Sequence, residues 1–254
     1  MLELSDRQLE RYARHVILDE VGEEGQAKLI AAKVLVVGAG GLGAPLLLYL
    51  GAAGVGTLGV VDNDTVDLSN LQRQVIHDES TLGLTKTASA KVRLATLNPD
   101  VNVIAHEERM TAENVDALIA GYDIVADGTD NFRTRYLLND ACFKAKKILV
   151  SAALLRFDGQ LSTYKAHLGA GHPCYRCIFP DQPPADLIPR CEEAGIFGAV
   201  AGVMGCLQAT EVLKEILGLG DSLSGRLLIY DALAPAFRTV RIAQDPACPC
   251  CGQR

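Results

Sequence analysis

The chain has 254 residues, with 24 Lys and Arg against 31 Asp and Glu and a formal net charge of −7. Hydrophobic residues at 49% and charged residues at 22% make a globular composition and exclude a disordered or fibrous chain. The acidic balance argues against duplex nucleic acid as the main partner, because that needs a basic face.

Along the chain, Met1-Leu-Glu-Leu-Ser-Asp-Arg-Gln8 lacks the apolar run of a targeting segment, so a cytoplasmic protein is expected. Ser5-Asp-Arg-Gln8 has the form of a capping box and predicts a helix through about Leu18. Val34 to Val61 then holds 28 residues without a charge, more than the ~20 that span a bilayer. Eight of these residues are Gly and one is Pro45, so a strand, a Gly-rich turn, a buried helix and a second strand explain the run without a membrane.

Lys33–Gly38 and Thr57–Val61 are predicted strands. A helix over Thr85–Leu97, a strand over Val101–His106 and a helix over Ala112–Ala120 follow. Next come a strand over Tyr122–Ala126, a helix over Phe132–Ala145 and a strand over Lys147–Ala152. Strands alternating with helices of this length predict a doubly wound, Rossmann-like α/β sheet, mainly parallel and covered on both faces. After Ser151 the texture changes. Arg156-Phe-Asp-Gly159 predicts a turn into a strand over Gln160–Tyr164, and Pro180–Pro189 an exposed loop. Ile196–Leu217 predicts a long buried helix, with strands over Arg226–Tyr230 and Phe237–Ile242 before the last cysteines. We read one continuous domain over residues 1–254, with a nucleotide-binding half (about 1–152) and an elaborated C-terminal half (about 153–254).

Gly38-Ala-Gly40-Gly41-Leu-Gly43 follows a predicted strand and opens a predicted helix. In that context the glycines allow a tight turn and let backbone N–H groups approach a phosphate. Asp62 lies at the end of the second strand, where a carboxylate accepts from ribose hydroxyls. These residues alone do not separate NAD from ATP. Arg73 and Lys86 add two positive charges, with Asn70 and Gln74 as amide donors, and a carboxylate in Ala126-Asp-Gly-Thr-Asp-Asn131, at the end of a central strand, suits Mg2+. Two cations and Mg2+ answer a triphosphate better than a dinucleotide.

Eight cysteines include the pairs Cys174-Tyr-Arg-Cys177 and Cys248-Pro-Cys-Cys251. Two Cys-x-x-Cys pairs complete a tetrahedral, closed, structural Zn2+ site, which here ties the C-terminal tail to the middle of the chain. The alternative is a redox pair with incidental thiols. Cys142 and Cys206 lie in apolar helices and are expected in the core.

Gly38-x-Gly-Gly-Leu-Gly43, Asp62, Leu68-Ser-Asn-Leu-Gln-Arg-Gln74, Lys86, Thr129-Asp-Asn131 and Cys174-Tyr-Arg-Cys177 together closely resemble the MoeB/ThiF/HesA family, relatives of the ubiquitin-activating enzymes. The resemblance runs from Arg14 to Gly252. It implies that Asp62 holds the ribose, that Asn70, Arg73 and Lys86 hold the phosphates, and that Asp130 binds Mg2+. The nucleotide site carried over with these also includes Asp64, Ser69, Leu71 and Gln72, and, beside Asp130, Thr129 and Asn131. Arg14 matches an arginine that family members contribute to the neighbouring subunit, which implies a homodimer. The four cysteines match the family's zinc ligands; with Cys250 inside the second pair, Cys250 and Cys251 both stand as the fourth, and the two-residue spacing favours Cys251.

The activity implied is ATP-dependent adenylation of the C-terminal Gly-Gly carboxylate of a small ubiquitin-like sulfur-carrier protein, in molybdenum cofactor or thiamine biosynthesis. A sulfurtransferase is a further expected partner. Cys191 matches the cysteine that forms a thioester in the ubiquitin-activating relatives, yet some family members only adenylate, so both roles stay open for it. Two other classes share part of the pattern. A nicotinamide-dependent oxidoreductase leaves Arg73, Lys86, Asp130 and the cysteine pairs unexplained. A non-catalytic carrier-binding scaffold has no use for ATP.

Overall fold

Successive side chains along the first strand belong to two different cores. In β1 (Lys33–Val37), Val34 and Val36 pack with Leu46, Leu50, Leu58 and Met204. Leu35 and Val37 pack with Leu118, Val125, Leu138 and Leu149 on the other face. A strand apolar on both sides must be covered by helices on both sides. The chain meets that need with β2 (Thr57–Val61), β3 (Asn102–His106), β4 (Ile124–Asp127) and β5 (Ile148–Leu155), ordered β3-β2-β1-β4-β5 and all parallel. These features come from a computed structural model that describes residues 3–183 and 195–252.

The first predicted helix is two short ones, α1 (Asp6–Arg11) and α2 (Ala13–Val16), with the capping box of Ser5 and Gln8 in place. The break falls at Tyr12, which is buried, and whose hydroxyl accepts from Asn98 Nδ2 at 2.9 Å. That tertiary anchor outweighs the local helical pattern. A third helix, α3 (Gly22–Ala31), went unread in the sequence because its apolar positions are few.

One face of the sheet is covered by α4 (Gly43–Ala53) and α5 (Lys86–Leu97). The other is covered by α6 (Val115–Ala120), α7 (Phe132–Lys144) and the single turn α8 (Tyr175–Ile178). Fully buried leucines such as Leu46, Leu47 and Leu50 of α4 each contribute about 2 kcal/mol of hydrophobic free energy. The helix α9 (Gly198–Leu217) crosses the first face. Its Val200, Met204, Gln208 and Val212 are buried, while Val203, Cys206 and Leu207 are only half-buried, so its full burial, expected from low charge, holds on one side only.

The sheet continues past β5 into β6 (Asp158–Tyr164), β7 (Arg226–Asp231) and β8 (Ala236–Arg241), each antiparallel to its neighbour. The eight strands therefore make one mixed sheet, and β5 itself spans the residue at which the sequence divides into halves. The expected turn after β5 is tighter than read, with Leu155 opposite Asp158 and Arg156 at a φ of 56°. The last strand is exposed along its whole length, and its Phe237 stacks on Tyr230 at 4.4 Å. No helix among the described residues is long and apolar enough to cross a membrane.

Candidate active site

The strand order reverses between β1 and β4, where the chain leaves β1 toward β2 on one side and β4 toward β5 on the other. In open α/β sheets the crevice outside the strand ends at such a point binds ligands. Here it is a cleft of about 1700 Å³. Gly38, Gly40 and Gly41 line it from the turn after β1; Asp62 and Asp64 from the end of β2; Ser69, Asn70, Arg73 and Gln74 from the segment that follows. Lys86 comes from the start of α5, and Thr129, Asp130 and Asn131 from the turn after β4. Of the carried-over nucleotide residues, Gly43, Leu71 and Gln72 do not line it.

Gly43 has a structural duty. A Cβ there would lie 1.8 Å from the Gly38 carbonyl oxygen, so α4 could not start against the turn. Gly38 takes a φ of 92°, a left-handed conformation that L side chains rarely adopt. Gly40 differs: the nearest atom to its Cβ position is Gln74 Nε2 at 3.7 Å, so the protein itself does not require glycine.

Asp62 is anchored by the turn it faces. Oδ2 accepts from the Ala39 N–H at 2.8 Å and Oδ1 from the Asp64 N–H at 2.9 Å. Burial raises its pKa above the usual carboxylate value, and the nearby Lys86 ammonium opposes that shift. Lys86 is buried, and its Nζ donates to Asp64 Oδ2 at 2.9 Å. Arg73 folds back on the Ser69 carbonyl at 3.0 Å. Asn70 caps its own turn by accepting from the Asp67 N–H, and Ser69 Oγ donates to Asp67. Asn131 caps α7 by accepting from the Thr134 N–H at 2.9 Å.

Sequence reasoning missed Asp127. This fully buried carboxylate at the end of β4 accepts from Thr129 Oγ1 (2.7 Å), the Thr129 N–H (3.0 Å) and Ser151 Oγ (2.7 Å), and pairs with the buried Arg135 at 3.6 Å. Arg135 also donates to the Ala152 and Thr129 carbonyls. Gln208 of α9 donates to the Asp127 and Val150 carbonyls, tying α9 to the adjacent strands β4 and β5. Of the two carboxylates after β4, Asp127 is saturated by protein donors, while Asp130, two residues past Gly128, is exposed in the cleft. The only sequence signal for Asp127 was its place as the last residue of a central strand.

The cleft runs on from the polar end to Leu155, Gln160 and Leu161 of the β5–β6 hairpin region, and to Leu227, Ile229 and Arg238 of β7 and β8. It is therefore a polar chamber joined to a largely apolar one. Arg14 is exposed and lies outside this chain's cleft, beside exposed Ile17 and Leu18. Cys191 falls outside the described residues, as does the loop over residues 184–189.

The sulfurs of Cys174, Cys177, Cys248 and Cys251 all lie within 4.8 Å of one another, and none of the four lines the cleft, although Tyr175 and Ile178 beside the first pair do. Cys174 and Cys248 sulfurs are 3.5 Å apart and Cys177 and Cys251 sulfurs 3.4 Å. A tetrahedral Zn–S4 centre has sulfurs about 3.8 Å apart, so the donor set fits zinc. Burial pushes the Cys251 thiol up to about 11 and raises that of Cys177 as well. Cys248 is lowered despite burial, through the Cys251 and Cys250 backbone amides, and the Asp245 N–H donates to Cys177 sulfur. Crowded, partly buried thiols with amides aimed at sulfur are what a divalent cation completes. Cys250 stands outside the quartet, with its sulfur accepting from Asn139 Nδ2 at 3.5 Å. Of the two other helical cysteines, Cys142 is buried and its thiol raised to about 12, whereas Cys206 is half-buried.

Residues 12–250 match the ThiF family. The chain belongs to the ThiF family. It is 52% identical over 252 residues to the adenylyltransferase and sulfurtransferase MOCS3 of Bos taurus, covering 99% of this chain and 55% of that one. The SAMP-activating enzyme E1 of Haloferax volcanii is 49% identical, covering 99% and 92%. The sulfur carrier protein adenylyltransferase of Thermus thermophilus is also 49% identical, covering 96% and 91%. The chain thus spans about half the length of its animal relative and most of the length of the other two. Among solved structures, Escherichia coli MccB shares the fold with a TM-score of 0.85 at 22% identity, over 99% of this chain and 76% of that one. This ThiF-family fold is the scaffold on which the cleft is built.

Proposed function

We propose that this ThiF-family chain adenylates the C-terminal carboxylate of a small ubiquitin-like sulfur-carrier protein ending in Gly-Gly, using ATP and releasing pyrophosphate. The observation that carries this reading is the joining of the two chambers. The Gly38–Gly41 turn, Arg73, Lys86 and Asp130 stand at one end, and Leu155, Leu161, Leu227 and Ile229 line the other, an apolar wall along which an extended peptide tail would lie. The named activities of the bovine and Thermus relatives support it.

In the reaction a carboxylate oxygen attacks the α-phosphorus. The new O–P bond forms as the bond to the bridging oxygen breaks, and that oxygen leaves on pyrophosphate. A terminal carboxyl has a pKa of about 3.5 and is already ionised, so no general base is required. What the protein must supply is alignment and charge neutralisation at phosphorus. Arg73 and Lys86 would turn from Ser69 and Asp64 to the phosphates, and backbone amides of the glycine turn would cap them. Asp62, held by two backbone amides, keeps lone pairs for the ribose hydroxyls. Asp130 would hold Mg2+, which supplies further neutralisation of the phosphate oxygens when bound. Cys191 takes no part in this step.

The same reading makes the protein a cytoplasmic homodimer in which Arg14 reaches the partner's cleft. Its exposure, with Ile17 and Leu18 exposed next to it, supports that role. It also makes Zn2+ structural, and a sulfurtransferase the downstream partner that acts on the acyl-adenylate. The polar and apolar chambers then correspond to the nucleotide-binding and carrier-binding halves of a single adenylyltransferase domain.

Pyrophosphate exchange into ATP tests the reading. Exchange that depends on a Gly-Gly-ended carrier is the expected result. The carriers of molybdopterin synthase and of thiamine thiazole synthesis, assayed side by side, decide the pathway. No exchange with either, together with tight NAD binding, would overturn the proposal.

A further inference from the structure

His77 is buried three residues beyond Gln74 and touches the cleft wall from behind. Its Nε2 lies 3.0 Å from the Ala39 carbonyl oxygen, and its Nδ1 lies 2.8 Å from Ser89 Oγ. A carbonyl oxygen only accepts, so Nε2 carries the proton and Nδ1 accepts from the Ser89 hydroxyl. Burial lowers the imidazole pKa, with the Lys86 charge acting the same way, which keeps the ring neutral in this tautomer.

Ala39 is thereby held at both of its backbone polar groups, its N–H on Asp62 and its carbonyl on His77. The Ala39–Gly40 peptide is trans, as are all the described peptides. In a trans unit the C=O and N–H point in opposite directions. Fixing the carbonyl toward the buried imidazole therefore turns the Gly40 N–H the other way, toward the cleft that Gly40 and Gly41 line. Ser89 sits one turn into α5, so the ring also ties the glycine turn to the helix that begins at Lys86.

We propose that His77 is a positioning residue for the phosphate-binding turn, its Nε2–H holding the Ala39 carbonyl so that the Gly40 amide faces the triphosphate. The inference rests on the adenylation reading, since it needs a nucleotide in the cleft.

The test compares ATP dissociation constants, by calorimetry, for His77→Gln, His77→Asn and His77→Leu, with the melting temperature and carrier affinity of each. A Gln amide nitrogen reaches the Nε2 position, an Asn amide only the Nδ1 position, and Leu supplies no donor. The expected result is ATP binding about tenfold weaker for Asn and Leu, the loss of one hydrogen bond's worth of free energy. Gln should stay within about threefold of the parent, and carrier affinity should be unchanged in all three. Comparable melting temperatures for Gln and Asn separate positioning from general packing. Leu binding ATP as tightly as the parent, or Gln losing as much as Asn and Leu, overturns the proposal alone. A parent protein that does not bind ATP overturns the adenylation reading and this proposal with it.

Discussion

The glycines of the phosphate turn look alike in the sequence and differ in what they do. A methyl group at Gly43 meets the Gly38 carbonyl at 1.8 Å, whereas one at Gly40 meets nothing nearer than 3.7 Å. Gly43→Ala should therefore destabilise the fold by about 3 kcal/mol, the upper range for overpacking, read as a fall in melting temperature. Gly40→Ala should melt with the parent and lose ATP affinity, because its methyl occupies the path of a phosphate. Equal melting temperatures for the two variants would contradict this assignment. The two carboxylates after β4 divide in the same way. Asp127 is saturated by Thr129, Ser151 and Arg135, while Asp130 is open to the cleft. Asp130→Ala should cut carrier-dependent exchange by at least about 10²-fold, the scale of losing one charge-stabilising group, with carrier affinity intact. Near-normal turnover at saturating Mg2+ would remove Asp130 from the cation site.

At the scale of elements, the cysteine quartet joins the turn around α8 to a tail that, among the described residues, has no helix or strand after β8. Metal binding exists only in the folded arrangement, so its free energy adds to folding. Cys251→Ser should lose zinc and lower Tm by roughly 5–10 °C, the shift that about 2–3 kcal/mol gives in a chain of this size. Cys250→Ser should keep its zinc, because its sulfur lies outside the quartet. Metal analysis showing the reverse would exchange the two residues. The helices carry a parallel lesson. α5 and α7 begin where the sequence says, because Thr85 and Asn131 are local caps that accept from residues three positions on. The first helix stops early at Tyr12, because its partner Asn98 is 86 residues away.

At the scale of the molecule, the composite dimer site is the boldest reading, and it has a test by mixing. Arg14→Ala and Lys86→Ala should each be inactive alone. With subunit exchange verified, random pairing makes half the dimers mixed. If Arg14 acts across the two-fold axis, each mixed dimer holds one intact site, so about a quarter of all sites should recover activity. If Arg14 acts within its own chain, every site keeps one lesion and no activity returns.

The sequence by itself determined the strand–helix alternation, the glycine turn, the carboxylates at the ends of β2 and β4 that line the cleft, and the cysteine pairs. Each of these is written in spacings of two to six residues, where periodicity, capping and turn chemistry act directly on neighbouring groups. Its spacing already favoured Cys251 over Cys250, but its residue chemistry could not separate Asp127 from Asp130 or bring His77 to Ala39 across 38 residues. The short turn it showed after β5 hinted at one antiparallel hairpin, but nothing in it showed that β7 and β8 extend the same sheet or that β8 is exposed. Those outcomes depend on which polar groups are buried together, and a hydrogen bond's partner inside a protein is set by the packing of elements far apart in the chain. Tertiary structure decided them because burying an unpaired donor, acceptor or charge costs more than a local preference can offset.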